Sequence, residues 1–375
     1  MVPELRDEFE SEGVHVRYFQ GLFRQYRPGG FGAQRIVNLG WMLFSLPWVL
    51  VFRRPGKLLV RTTPPGIQIW AAFWMKILRI RGVLWLLDYH PEIEARRLER
   101  RGVFGRVAAK ILRGLDRWSQ NAFEKVIVPD GAMEETGRTN SGRENLTVFP
   151  TWLSSPVASV AQTDESSTGN QSVPSIRSSA LAADATVRIL YCGNLGSGHD
   201  LGGLEKWLES ATQADDSQSE RCIQIVTVGT GERGQDRFRE LASRCKNFSW
   251  THWGSLSDDE LGKRIDEERV AWGLVLMDTS FKGLMSPSKF STYLNLGLPI
   301  LYFGPEGTNA DRVCREFEAG KAFSGGGSLD EPMGKAVDER VAEECRDRVS
   351  KAREYFSAFD AKRFVEEVFG GEKGE

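Results

Sequence analysis

The sequence predicts an α/β protein built from two doubly wound, Rossmann-like domains that face each other across a cleft. Three observations predict it. Both halves of the chain alternate short apolar runs with helix-like patterns, as buried parallel strands joined by helical crossovers do. Residues 154–180 hold nine Ser and two Thr in 27 positions, with no Leu and no aromatic residue. Such a stretch cannot bury enough surface to offset its ordering entropy, and reads as a linker or disordered insertion. The 375 residues also exceed one ordinary core, at roughly 150 residues per domain. The expected division is a first domain over 1–152, a Ser-rich linker over 153–186, a second domain over 187–340 and C-terminal helices over 341–375.

In the first half, Lys57–Val60 is a short strand stopped by Thr62-Thr63-Pro64-Pro65, and Ile67–Ile80 follows as a helix. Val83–Leu87 ends at Asp88, a charged amphipathic helix spans Pro91–Leu115, and Lys125–Val128 ends at Pro129-Asp130-Gly131. Leu146–Phe149 closes the half at Pro150. The second half repeats the logic. Strands at Val187–Tyr191, Ile223–Val228, Trp272–Met277 and Pro299–Phe303 run into Gly193, Gly229, Asp278 and Gly304. Helices are expected at Gly202–Ala211, Asp236–Arg244, Asp258–Glu267 and Ser288–Leu296. In such sheets ligands bind beyond the carboxyl ends of the strands, so these loops are where chemistry is sought.

Charge and composition narrow the function. Residues 1–150 carry 23 Lys and Arg against 15 Asp and Glu, whereas residues 151–375 carry 26 against 36. No Lys/Arg cluster interleaves with aromatic residues as a nucleic-acid surface would require. The five cysteines are widely spaced and form no C-x-x-C pair, which argues against a disulfide framework and a zinc site. The acidic start MVPELRDEFESEG is unlike a signal peptide, so a cytoplasmic location is expected and the sequons at Asn145, Asn170 and Asn247 carry no weight. No segment reaches the roughly 18 apolar residues of a membrane span. Seven of the eleven Trp lie before residue 153, however, and WMLFSLPWVLVF at Trp41–Phe52 is followed by Arg53–Arg54. That pattern fits either a buried helix with snorkelling arginines or a helix at a membrane surface.

Three glycine-rich loops precede helices: Pro28-Gly29-Gly30-Phe31-Gly32, Gly193-Asn194-Leu195-Gly196-Ser197-Gly198 and Gly229-Thr230-Gly231. Glycines let the backbone approach a phosphate, and a helix N-terminus offers free N–H groups. None has the dinucleotide or Walker A spacing. One such loop is an ordinary tight turn; one in each domain points to a nucleotide or phosphosugar between the domains. In Ser286-Pro287-Ser288-Lys289 a helix should open with Ser286 or Ser288 as cap. Lys289 then lies in the first turn, where helix polarity favours anions; it is either a solvated lysine or one that shares a bound phosphate with the helix.

The segments YCGNLGSGHDLGGL, VTVGTGERGQDRF and SPSKFSTYLNLGLPILYFGPEG resemble the C-terminal domain of GT-B glycosyltransferases of the family 4 kind. TTPP, DYHPE and VFPTWLS resemble its N-terminal domain. The resemblance runs from about Val60 to Gly320 and is closest to the bacterial branch that builds surface polysaccharides. It implies a nucleoside-diphosphate sugar held by the second domain, an acceptor held by the first, and a last helix that crosses back to the first domain. Gly193, Asn194, Gly196, Ser288 and Lys289 match the family's surroundings of the donor phosphates. Gly229 and Gly231 match a loop near the nucleoside, and Gly29 and Gly30 the first-domain glycine loop. The sequence departs from the family at its two glutamates, whose positions here hold Leu284 and Thr292.

At the end of a first-domain strand Asp88 and His90 are candidates for the base that takes the acceptor's proton; alternatively Asp88 caps the helix that follows. Arg61 and Lys289 could stabilise the leaving diphosphate in place of a metal; no D-x-D motif stands beside a strand, and no cofactor is expected. The first reading is thus a metal-independent glycosyltransferase acting on a glycan or polyprenol-linked acceptor, at the inner face of the membrane. A GT-B-like binding protein without activity is the alternative suggested by Leu284 and Thr292. A sugar-nucleotide epimerase would want more carboxylates around the cleft.

Overall fold

Four short strands in the first half and six in the second form two all-parallel sheets. The computed structural model describes residues 31–62, 64–143, 146–151, 153, 186–196, 198–213, 222–245, 248–323, 337 and 339–369. The Ser-rich stretch expected over 153–186 therefore lies outside the described residues apart from its two ends.

After helix α1 (Phe31–Arg53) come β1 (Lys57–Arg61), α2 (Ile67–Leu78) and β2 (Arg81–Trp85). They are followed by α3 (His90–Glu99), α4 (Val103–Gln120), β3 (Lys125–Val128), α5 (Gly131–Ser141) and β4 (Leu146–Val148). The first sheet runs in the order β1-β2-β3-β4. Alternation sorts its side chains onto two faces. Leu84, Leu86, Val126 and Val128 enter one core with Ile67, Ala71 and Met75 of α2. Val83, Trp85 and Ile127 enter a second core with Phe364, Val365 and Val368, all from the last helix of the chain.

The single helix expected over Pro91–Leu115 is two helices instead. Gly102, at φ +86, breaks it between α3 and α4, in backbone that a side chain would strain.

The second half comprises β5 (Thr186–Cys192), α6 (Gly202–Gln213), β6 (Cys222–Val228), α7 (Glu232–Arg244), β7 (Phe248–His252) and α8 (Asp258–Glu267). Next are β8 (Val270–Leu276), α9 (Lys289–Asn295), β9 (Ile300–Phe303), α10 (Asn309–Arg315) and β10 (Gly320–Phe323). Helices α11 (Glu339–Ser357) and α12 (Ala361–Phe369) close the chain. The order β10-β9-β8-β5-β6-β7 reverses direction between β5 and β8, which makes the end of β5 the switch point where ligands bind in open α/β sheets. Strands β7 and β10 were not expected from sequence. They are the edges of the sheet, and FSWTH and GKAF are partly exposed, so neither shows the unbroken apolar run of an inner strand.

Among the described residues the halves meet at several places. Asp88 forms an antiparallel backbone bridge with Met285, and Tyr89 N–H donates to the Leu284 carbonyl at 2.7 Å. Asn309 Nδ2 donates to the Pro129 carbonyl at 2.9 Å. Helix α12 lies on the first sheet, its Glu367 paired with Lys125 at 2.7 Å.

Candidate donor and acceptor site

Two glycine loops at the switch point are laced together. Gly193 follows β5 at φ +88 and Gly229 follows β6 at φ +64, conformations that need glycine. Their backbones approach so closely that a Cβ on Gly229 would sit 4.0 Å from Gly193 Cα. Thr230 Oγ1 donates to the Gly193 carbonyl at 3.0 Å, and Gly231 N–H donates to Asn194 Oδ1 at 3.0 Å. Asn194 thus satisfies a free N–H at the start of α7, where Gly231 is the cap residue and has no side chain to do so. The loop is held by the protein's own groups before any ligand arrives.

Lys289 reaches into this loop from α9. Its Nζ lies 2.9 Å from His199 Nε2, 3.4 Å from the Asn194 carbonyl and 5.1 Å from the centre of the Tyr191 ring. Gly196 N–H donates to His199 Nδ1 at 3.1 Å, which leaves the ring proton of the neutral imidazole on Nε2, pointing at Lys289. An ammonium and an imidazole N–H are both donors. Their contact is relieved when one loses a proton or when an anion enters. Burial pulls Lys289 down to about 8. Burial and, secondarily, the Lys289 charge hold His199 at about 4. His199 was not singled out from the sequence; a lone histidine in a Gly-rich loop gives no signal until the fold sets it against Lys289.

The structure corrects one expectation here and adjusts another. Ser288 occupies the cap position of α9, but its side chain makes no capping hydrogen bond. Thr292 is exposed, a turn beyond Lys289. Leu284 is 1% exposed and belongs to the apolar core of the first domain. A glutamate there would bury a charge among apolar side chains, a physical reason for the departure from the family pattern.

Asp88 and His90 stand together beyond β2. Asp88 Oδ2 is 3.7 Å from His90 Nε2, and both are partly exposed. Asp88 does not cap the helix: Tyr89 holds that position, and no side chain caps it. Desolvation raises the Asp88 carboxyl above the usual value, opposed first by His90 and then by Arg61. Arg61, at the end of β1, lays its guanidinium 5.4 Å from the centre of the Trp85 ring. Met285 links this cluster to the glycine loop, since its backbone pairs with Asp88 while its Sδ would be 2.3 Å from a Cβ on Gly198. Gly29 and Gly30 lie outside the described residues. Among those residues no three His, Cys, Asp or Glu side chains cluster as metal ligands would.

No family model matches the chain, and no curated protein matches it. Solved structures do. HepE of Anabaena in complex with UDP-glucose is similar at a TM-score of 0.58 and 12% identity, over 98% of this chain and 88% of that one. The α,α-trehalose-phosphate synthase (UDP-forming) of Burkholderia xenovorans, in complex with glucose-6-phosphate, is similar at 0.55 and 10%, over 91% and 78%. At such identities the likeness speaks for fold. The expected pair of Rossmann-like domains is therefore present, and the chain has the GT-B glycosyltransferase fold.

Proposed function

We propose that the protein transfers a sugar from a nucleoside-diphosphate sugar to a glycan or polyprenol-linked acceptor in polysaccharide or cell-envelope glycan synthesis, as a GT-B enzyme akin to family 4. The observation that carries this reading is the Lys289–His199 contact at the mouth of the laced glycine loops. Two donors face each other at a switch point, where a diphosphate would accept from both. The UDP-glucose bound to HepE makes a uridine nucleotide the first to try.

In the proposed reaction the bond from the sugar's anomeric carbon to the diphosphate breaks, and a bond to an acceptor oxygen forms. The acceptor's proton passes to Asp88 or His90, and the charge on the leaving diphosphate is met by Lys289 and Arg61 without a metal. Gly193, Gly196, Gly229 and Gly231 supply close backbone approach, Asn194 fixes the loops, and Ser288 and Thr292 line the start of α9. The cytoplasm, where nucleotide sugars are made, is the compartment this reading requires.

The test is calorimetric titration with UDP, GDP, ADP and their sugars, using wild type, Lys289→Ala and Asp88→Asn. Saturable binding of one nucleotide, weakened about tenfold to a hundredfold in Lys289→Ala and kept in Asp88→Asn, supports transfer. Absence of binding by folded wild-type protein would replace it with the non-catalytic reading that Leu284 and Thr292 suggest.

A further inference from the structure

The exposed large apolar side chains of this protein are not scattered. Fifteen are found among the described residues, and all lie between Val37 and Trp118 on α1, α2 and α4. These helices are neighbours: Trp70 Nε1 of α2 donates to the Leu43 carbonyl of α1 at 2.8 Å, and Lys76 of α2 lies 5.1 Å from the centre of the Trp118 ring of α4.

Helix α4 is turned inside out. Its buried positions are Gly105, Ala109, Asp116, Ser119 and Gln120, small or polar residues. Its exposed apolar stripe runs Phe104, Val107, Ile111, Leu115, Trp118 at three- and four-residue steps, with Phe104 91% exposed. That spacing defines one face of a helix, and here the face is presented to the outside. Helix α1 repeats the pattern with exposed Trp41, Phe44, Trp48 and Phe52. Helix α2 adds Phe73 and Ile77.

The charge on these helices has one sign. Neither α1 nor α2 contains an acidic residue, and the one in α4, Asp116, is buried. Exposed Arg53, Lys76, Arg106 and Lys110 border the apolar stripes. No described helix is long and apolar enough to cross a membrane.

We infer that the α1–α2–α4 face is a docking surface for an anionic lipid bilayer, on which these helices lie in the interface with their aromatic residues inserted. The basic rim and the lack of exposed carboxylates select the occupant: an apolar face without acid, fringed by Arg and Lys, complements anionic headgroups over acyl chains. A self-association face would need no such bias. The inference deepens the acceptor reading above. Arg113 of α4 donates to Glu92 of α3 at 2.7 Å, which ties the docking helix to the helix that begins at His90. A polyprenol-linked acceptor would then reach Asp88 and His90 from the surface the protein stands on.

The experiment is flotation of the full chain with phosphatidylcholine vesicles, with and without phosphatidylglycerol. It uses wild type, Phe104→Asp/Ile111→Asp and Arg106→Glu/Lys110→Glu, with circular dichroism and UDP titration on each. The expected result is binding that needs phosphatidylglycerol and falls as salt rises. Each double variant should lower the partition coefficient about tenfold or more while remaining folded. Both pairs are exposed, so refolding of the core is not at issue, and the charge-reversal pair tests the surface without touching the apolar stripe. No binding by wild type, or binding by both variants as tight as that of wild type, would overturn the proposal. So would a wild-type dimer that ignores vesicles and becomes monomeric in Phe104→Asp/Ile111→Asp, since that assigns the face to a second copy. Vesicle binding without nucleotide binding would leave the surface standing and remove the transferase reading.

Discussion

Lys289 Nζ lies 2.9 Å from His199 Nε2, and the N–H of Gly196 holds the far side of that imidazole at 3.1 Å. The lysine is thus confronted by a ring whose other nitrogen is already occupied as an acceptor. Its proton affinity falls because burial removes water from around the ammonium.

This contact predicts proton uptake on binding. With Lys289 at about 8 in the free protein, a diphosphate that favours the ammonium raises that value. Near pH 8 binding should take up a fraction of a proton, and affinity should fall as pH rises through about 8. Titration in two buffers of different ionisation heat measures the uptake. Lys289→Ala should abolish it and weaken binding by about tenfold to a hundredfold, the range of one charge-assisted hydrogen bond. Equal heats in the two buffers would mean that Lys289 does not meet the phosphates.

Asp88→Asn separates chemistry from binding. Removal of the general base should lower kcat by about a hundredfold to ten-thousandfold, with nucleotide affinity within about twofold. Because desolvation raises the Asp88 carboxyl, the acid limb of the wild-type pH–rate profile should lie above the ordinary carboxylate range and disappear in the variant. If His90→Ala erases the limb while Asp88→Asn keeps it, the roles are reversed.

Leu284 anchors the second domain in the core of the first. Leu284→Ala should cost about 2–5 kcal/mol, as buried leucine truncations do, and denaturant unfolding measures it. Leu284→Glu, which installs the residue type of the family pattern, should destabilise further and improve no activity, since it places a carboxylate in an apolar core.

Stability should depend on pH through Asp116, which accepts hydrogen bonds from Gln120 at 2.8 Å and Gln68 at 3.4 Å. Burial first of all raises its carboxyl to about 6 from 3.8. The folded state then binds the proton more tightly than the unfolded one. The stabilisation is complete below 3.8 and is lost as pH rises through about 6, an effect on the order of 3 kcal/mol. Melting temperatures between pH 4 and 7.5 should show that slope, and Asp116→Asn should flatten it.

Most inner strands were readable because a strand buried on both faces must be apolar throughout. KVIV at Lys125–Val128 and VAWGLVL at Val270–Leu276 need no further context. The edge strands β7 and β10 were not, since half of each faces water. The break at Gly102 was missed for a related reason: the apolar period continues across it, and the sign of φ leaves no mark in a hydrophobic pattern. In the site, the glycine loops were visible as loops. Their lacing through Asn194 was not, because Oδ1 meets a backbone N–H from a residue 37 positions away.

The alternation of strand and helix, the glycine turns after β5 and β6, and the concentration of Trp and positive charge in the first half can all be read along the chain. These are local properties, set by side-chain type and spacing. It took the packed chain to set Lys289 against His199 across 90 residues, to place Leu284 in the other domain's core and to turn the apolar stripe of α4 outward. The reason is shared by all three. A periodic pattern says that a helix has an apolar side, but which way that side turns depends on what the rest of the chain packs against it.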